Sequence, residues 1–258
     1  MGIINVTQDS FYSGSRHSGT DDVLRQADRM ISEGADFIDI GAASSRPGAT
    51  PPSESEEIIA IVAAIEAIRS VHRDIVISAD TYRSVVARAA IQVGADLIND
   101  ISAGTADISM LPLVAEHDLP IIIMHMQGEP GTMQDAPQYK SVLLEVTAYL
   151  SERLAACRKA GINDIIIDPG FGFGKLDEHN YRLLRELGHF KVLGVPLLAG
   201  LSRKSMIQRT LNVPAEEALN GTTALHMTAL MKGAGILRVH DVKEAVQCVK
   251  LYKAMQYS

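Results

Sequence analysis

Three polar residues stand where apolar runs stop: Asp80 after IVISA, Asn99 after DLI and Asp168 after DIII. A carboxylate accepts hydrogen bonds and a carboxamide both donates and accepts, so three such groups at one place make a planar recognition surface. A heterocycle with a 2-amino-4-oxo edge needs such a surface. A second set is basic: Arg46, Lys204, Arg238 and His240. Arginine's planar fork matches phosphate oxygens, so these four would make a cationic rim suited to phosphate. Each residue also has a plainer reading. Asp100 and Asp241 read as helix caps. His125, between Met124 and Met126, reads equally as core or site, and Arg46 as a solvated loop residue. Asp80, Asn99 and Asp168 taken together are harder to dismiss.

The stretch DPGFGFGK, from Asp168 to Lys175, resembles a phosphate loop but fits neither common template. A P-loop G-x-x-x-x-G-K-[ST] would need glycine at Pro169 and a hydroxyl residue at Leu176; a G-x-G-x-x-G loop would need glycine at Lys175. The informative residue is therefore Asp168. The glycines let the backbone turn beside a ligand, Phe171 and Phe173 pack, and Lys175 serves the loop. Zinc is not expected, because the eight histidines are scattered, with no H-E-x-x-H and no Cys/His cluster. A Mg²⁺ held mostly by substrate phosphates and one protein oxygen leaves almost no motif, and Asn5 fits that role.

The elements that must position these residues follow from a recurring pattern. A helix-like segment ends at glycine, then come a short Ile/Leu/Val run and a polar residue: EGADFIDIG, VGADLINDI, AGINDIIIDPG and KGAGILRVHD. The glycine suits a left-handed helix cap and the run a buried parallel strand. GIINV, IVISAD, PIIIMH and VPLLAG fill the same role, giving eight strands. Between them lie amphipathic stretches. Ser53 and Glu56 form a capping box ahead of Ile58, Ile59, Ile61, Val62, Ile65 and Ile68. Residues 141–161 read as a long helix ended by Gly161, and 242–255 as the last helix. Eight alternating units in about 250 residues predict an α/β fold, a (β/α)₈ TIM barrel spanning 1–258 as one domain, over an open doubly wound sheet. In such a barrel the strand ends carry the chemistry, which is where the polar residues fall.

Composition narrows the function classes. The chain has 258 residues, 47% hydrophobic and 21% charged, enough for a full core without crosslinks. Its charge of −7 argues against a broad nucleic-acid footprint, so an anion site must be local. Cys157 and Cys248 are too few for a disulfide framework and read as buried residues in a reducing cytosol. No run is long enough to span a membrane, and no targeting segment is visible.

Eight collinear motifs resemble the dihydropteroate synthase family. They are MGIINVTQDSF (1–11), IDIGAASSRPGA (38–49), ISADTYRSVVARAA (77–90), LINDI (97–101), IIIMHMQGEPGTMQ (121–134), IIIDPGFGFGK (165–175), LAGLSRKSMI (198–207) and ILRVHDV (236–242). The family's fold is the eight-fold barrel. Its members condense 6-hydroxymethyl-7,8-dihydropterin pyrophosphate with p-aminobenzoate, giving 7,8-dihydropteroate and pyrophosphate with Mg²⁺. The reaction is SN1-like, through a pterin cation. The resemblance implies a pterin pocket of Asp80, Asn99, Asp168 and Lys204, and Asn5 as the magnesium-linked residue. It implies pyrophosphate binding by Ser45, Arg46, Arg238 and His240, and a p-aminobenzoate site including Phe11, Ser45, Arg46, Pro47 and Ser205. Asp80, Asp168, Lys204 and Arg238 would carry the chemistry. It also implies a cytoplasmic homodimer with small-molecule substrates only.

The chain departs from the family pattern in its loops. GAASSRPG stands where GGESTRPG is commoner, so Ala43 replaces a usual Glu and Ser45 a usual Thr, which bears on sulfonamide sensitivity. Gln8 replaces a usual Pro, which would loosen the first loop. The chain starts at strand 1, where members usually carry a further segment, so a shortened chain is expected. Two alternatives stay open: a methyltetrahydrofolate–corrinoid methyltransferase, which would not need the SSRPG loop or RVHD, and a pterin-binding paralogue with altered or no catalysis.

Overall fold

The structure is a computed structural model that describes residues 1–6, 16–42, 52–128 and 137–256. Among these residues eight strands form: β1 Gly2–Asn5, β2 Phe37–Gly41, β3 Val76–Asp80, β4 Leu97–Asp100, β5 Ile121–Met124, β6 Ile165–Asp168, β7 Leu198–Ala199 and β8 Ile236–Leu237. All eight coincide with the apolar runs. β1 to β6 pair in order and in parallel, and β7 pairs with β8. Parallel bridges Ile167↔Leu197 and Gly2↔Val239 join these two sheets at both seams, closing the ring. Backbone bonds Ile167 N–H to Pro196 O at 3.0 Å and Ile3 N–H to Val239 O at 2.9 Å hold the seams.

The helices lie between the strands: α1 Arg16–Ser32, α2 Glu54–Val71, α3 Ser84–Gln92, α4 Met110–Glu116, α5 Val142–Ala160, α6 Asp177–Arg185, α7 Ser205–Leu211, α8 Leu219–Met231 and α9 Val242–Gln256. α2 opens with the expected capping box: Ser53 accepts from Glu56 N–H and Glu56 accepts from Ser53 N–H. Its buried face is Glu57, Ala60, Ile61, Ala64, Ile65 and Ile68, while Ile59 is exposed. The i, i+3/i+4 repeat through alanine, and not the isoleucines alone, sets the face. α5 ends at Gly161, whose φ of 99° only glycine adopts cheaply. Two helices, α7 and α8, separate β7 from β8.

Strand alternation divides the core. Ile38, Ile40, Ile77, Ile98, Ile121, Ile123 and Ile167 face the helices in the main hydrophobic cluster. Met1, Leu97, Ile122 and Leu198, with Phe37, Val76, Ile166 and Ile236, fill the lower barrel interior. Side chains two residues further along the same faces rise toward the C-terminal mouth. That places Asp39 and Ser78 above the apolar layer, and Asp80, Asn99, Asp168 and Arg238 higher still. Cys157 and Cys248 are buried, free thiols.

Candidate active site

Register fixes the pocket. Asp80 pairs with Asn99 across β3 and β4, and with Gly41 across β2 and β3. A Cβ on Gly41 would sit 3.2 Å from Asp80 Cβ, so glycine makes room for the carboxylate. Asp168 ends β6 opposite Met124. Arg238 follows β8, and Lys204 is the residue before α7. Four of the residues expected to carry chemistry, Asp80, Asp168, Lys204 and Arg238, thus meet at one mouth with Asn99.

Arg238 does not stand free at the rim. Its Nη2 lies 2.5 Å from Asp80 Oδ2, and its Nε donates to Asp39 Oδ2 at 2.6 Å. Asp39 also accepts from Asn99 Nδ2 at 3.3 Å. Burial opposes the charge on Arg238, but Asp39 and Asp80 outweigh it and hold its pKa above the ordinary value. Burial pushes the Asp80 carboxyl up to about 7, against the pull of Arg238 and with Asp39, Glu57 and Asp100 adding repulsion. The Asp80 side chain stays 21% exposed, so water moderates that push. Burial likewise raises Asp168, against its bond from Gly170 N–H and the charges of Lys204 and Arg238. Lys204 falls to about 8, by burial and by repulsion from Arg238. A set of carboxylates and cations this close moves any cation or anion placed among them toward a fixed counter-charge.

The loop after β6 is held by its own lysine. Lys175 is buried, and its Nζ donates to Gly170 O at 2.8 Å, Phe173 O at 2.9 Å and His125 O at 3.2 Å. A Cβ on Gly170 would come within 2.0 Å of His125 O, so the close crossing of the β5 and β6 loops requires glycine there. Gly170 N–H in turn donates to Asp168 Oδ1 at 2.8 Å, orienting that carboxylate. Phe171 packs in the core. Phe173 is also buried, and Lys204 Nζ sits 4.3 Å from its ring centroid. Lys175 therefore serves the loop, and Lys204 faces the mouth across an aromatic floor.

His240 is a neutral donor in this arrangement. Burial and the charge of Arg238 hold its pKa near 4. Ser202 Oγ accepts from His240 N–H at 3.2 Å and lies 3.0 Å from its Nδ1. The hydroxyl can then donate to Nδ1, which leaves the ring proton on Nε2. Arg203 anchors this loop: it clamps Asp241 through two 2.8 Å bonds and donates to Ala215 O and Glu216 O. Asp241 is thus an ion-pair partner and not merely a cap. Asp100 caps a turn, accepting from Ser102 and Gly104 N–H. His125 is a packed, buried residue lowered to about 3 by burial and by Lys175, and lies edge-on to Tyr149 at 5.0 Å.

Asn5 is the exposed end of the otherwise buried β1, at the mouth. Ser205 is exposed and opens α7. Phe11, Ser45, Arg46 and Pro47, with Thr7, Gln8, Asp9 and Ala43, lie outside the described residues. Three residues that the strand-end rule misses are structural partners of the mouth: Asp39, Ser202 and Glu57. Glu57 is buried in α2 and accepts from Thr81 Oγ1 and Arg83 Nη1, both at 2.6 Å, fixing the exit of β3. A carboxylate inside an apolar run or on a helix's buried face is the signal that marks Asp39 and Glu57.

Residues 1–240 match the family described as pterin binding enzyme. The dihydropteroate synthase of Escherichia coli K12 is 46% identical over 98% of this chain and 90% of its own length. That of Haemophilus influenzae is 45% identical over 98% and 92%. Among solved structures, the Yersinia pestis dihydropteroate synthase in complex with a sulfonamide drug superposes with a TM-score of 0.93 at 42% identity, covering 100% of this chain and 94% of that one. The Xanthomonas albilineans enzyme with 4-aminobenzoic acid gives 0.92 at 40% identity, covering 100% and 93%. With residues 1–240 matched to that family and relatives 45–46% identical over 98% of its length, the chain belongs to the pterin-binding enzymes and, among them, to the dihydropteroate synthase family.

Proposed function

We propose that this chain joins p-aminobenzoate to 6-hydroxymethyl-7,8-dihydropterin pyrophosphate, releasing 7,8-dihydropteroate and pyrophosphate. One observation carries this reading: Asp80, Asn99 and Asp168 open on the same mouth as Arg238 and Lys204. The two carboxylates and the amide suit the amino-oxo edge of a pterin. As the C–O bond to pyrophosphate breaks, the bonding pair leaves with the oxygen and positive charge develops on the pterin. Asp80 and Asp168 then face the forming cation, while Arg238 and the Nε2–H of His240 face the departing anion. The arylamine lone pair closes the C–N bond, and its nitrogen releases a proton. A neutral amine needs no activated Ser or Cys nucleophile.

Mg²⁺ belongs to the same proposal. Among the described residues no group of three His, Cys, Asp or Glu side chains is placed to hold a metal ion. Asn5 offers one oxygen at the exposed end of β1, so the donor set fits an ion carried chiefly by diphosphate and water, and not an all-protein cage. Bound there, the ion would neutralise charge on the leaving pyrophosphate. Ser45 and Arg46 are assigned to pyrophosphate, and Phe11, Pro47 and Ser205 to p-aminobenzoate, on the family pattern. No helix among the described residues is long and apolar enough to cross a membrane. A cytoplasmic homodimer is part of the same reading, and light scattering tests the assembly.

Purified protein should release pyrophosphate only when both substrates and Mg²⁺ are present. Absent turnover with tight pterin binding would point instead to a binding paralogue. Methyl transfer to a corrinoid would overturn the assignment.

A further inference from the structure

We infer that Asp39, buried in the middle of β2, is a positioning residue for the groups that hold the pterin. This rests on the pterin-binding reading above. Asp39 has no solvent exposure, and a buried carboxylate is costly unless its partners are well placed. Both of its hydrogen-bond partners among the described residues belong to the proposed ligand site. Its Oδ2 accepts from Arg238 Nε at 2.6 Å, and its oxygens lie 3.3 and 3.4 Å from Asn99 Nδ2. Its register neighbour Ser78 offers nothing in exchange, because the buried Ser78 Oγ has no hydrogen-bond partner among the described residues. Among the described residues, the hydrogen bonds of Asp39 therefore go to two side chains at the mouth.

Arg238 is shared between Asp80 and Asp39. If the pterin edge takes the Asp80 carboxylate, Arg238 keeps its Nε bond to Asp39 and its guanidinium plane stays fixed. The same carboxylate sets the Asn99 amide: Nδ2 donates downward, so Oδ1 and the second N–H remain for the ring. Asp39 thus presets two recognition groups before the ligand arrives, which lowers the ordering cost of binding.

Asp39→Asn keeps the shape and removes the charge. Steady-state kinetics on both substrates, thermal unfolding and calorimetric titration of pterin pyrophosphate test the inference. The expected result is a KM for pterin pyrophosphate raised about 10-fold or more with a reduced kcat, since a charged hydrogen bond is lost. The KM for p-aminobenzoate should stay within about twofold, and the Tm should fall by only a few degrees. Unchanged pterin KM and kcat would overturn it. So would equal shifts in both KM values accompanied by a large Tm loss, which is what general loosening of the barrel would give. If Asp39→Asn does not fold, Asp39→Glu keeps the charge but displaces it by a methylene; it should raise the pterin KM selectively, and wild-type constants would overturn the inference. Failure of the wild-type protein to turn over would count against the proposed reaction instead, and the pterin affinities of wild type and variant would still decide the role of Asp39.

Discussion

Lys175 Nζ lies 2.9 Å from His125 Nδ1, so the loop after β6 is tied to the loop after β5 by a buried lysine. Burial lowers Lys175 to about 7, against the pull of Asp168 and with repulsion from Lys204. An unfolded lysine near 10.5 binds its proton more tightly than this one, so between pH 7 and 10.5 the unfolded state holds more protons. The contribution of Lys175 to stability therefore rises with pH across that window and is flat below it. Urea unfolding from pH 6 to 10 should show this upward term, on the order of a few kcal/mol, in the wild type and not in Lys175→Met. Parallel pH profiles for the two proteins would refute it.

Glycine substitutions should separate by contact. Among the described residues the Cβ of Gly161→Ala meets nothing within 4 Å, so the variant should cost only the left-handed strain of about 1–2 kcal/mol. Gly170→Ala carries similar strain and drives Cβ into His125 O. It should lose at least twice as much stability, and pterin affinity with it, because Gly170 N–H orients Asp168. Thermal melts of the two variants side by side, with calorimetry on Gly170→Ala, check the ordering.

Asp168→Asn should spare the fold and weaken the pterin complex. Asparagine can still accept from Gly170 N–H, so the loop turn survives. The lost charge removes a charge-assisted bond, worth about 1.5–3 kcal/mol or roughly 10- to 100-fold in affinity. Normal pterin pyrophosphate binding by this variant would remove Asp168 from the pocket.

Two adjacent cations should give opposite phenotypes. Arg203→Met breaks the clamp on Asp241 and two carbonyl bonds, and should lower stability by about 2–4 kcal/mol. Lys204→Met removes a cation that rests on Phe173 at the mouth, and should leave Tm near wild type while raising the pterin KM. Similar Tm losses in both variants would contradict this division.

The sequence by itself determined which segments become strands, because short Ile/Val/Leu runs between amphipathic stretches, four of them in the helix–glycine–run pattern, have few other stable uses. It also narrowed the mouth residues of β3, β4 and β6 to the polar groups at those strand ends, and on β4 alternation separates Asn99, which faces the mouth, from Asp100, which caps the following turn. Phe171 and Phe173 were legible as packing residues because a large aromatic ring in a loop beside the core gains most by burial. Tertiary structure decided the partners. Asp39 sits within an apolar run, 199 residues before Arg238, and only closure of β8 against β1 brings the two together. Lys175 looked like a loop lysine, but its complete burial follows from the crossing of two loops that no local pattern encodes. Periodicity fixes the face a side chain takes. Register and ring closure fix whom it meets there, and in this barrel those long-range pairings convert a set of strand-end polar residues into a preorganised site.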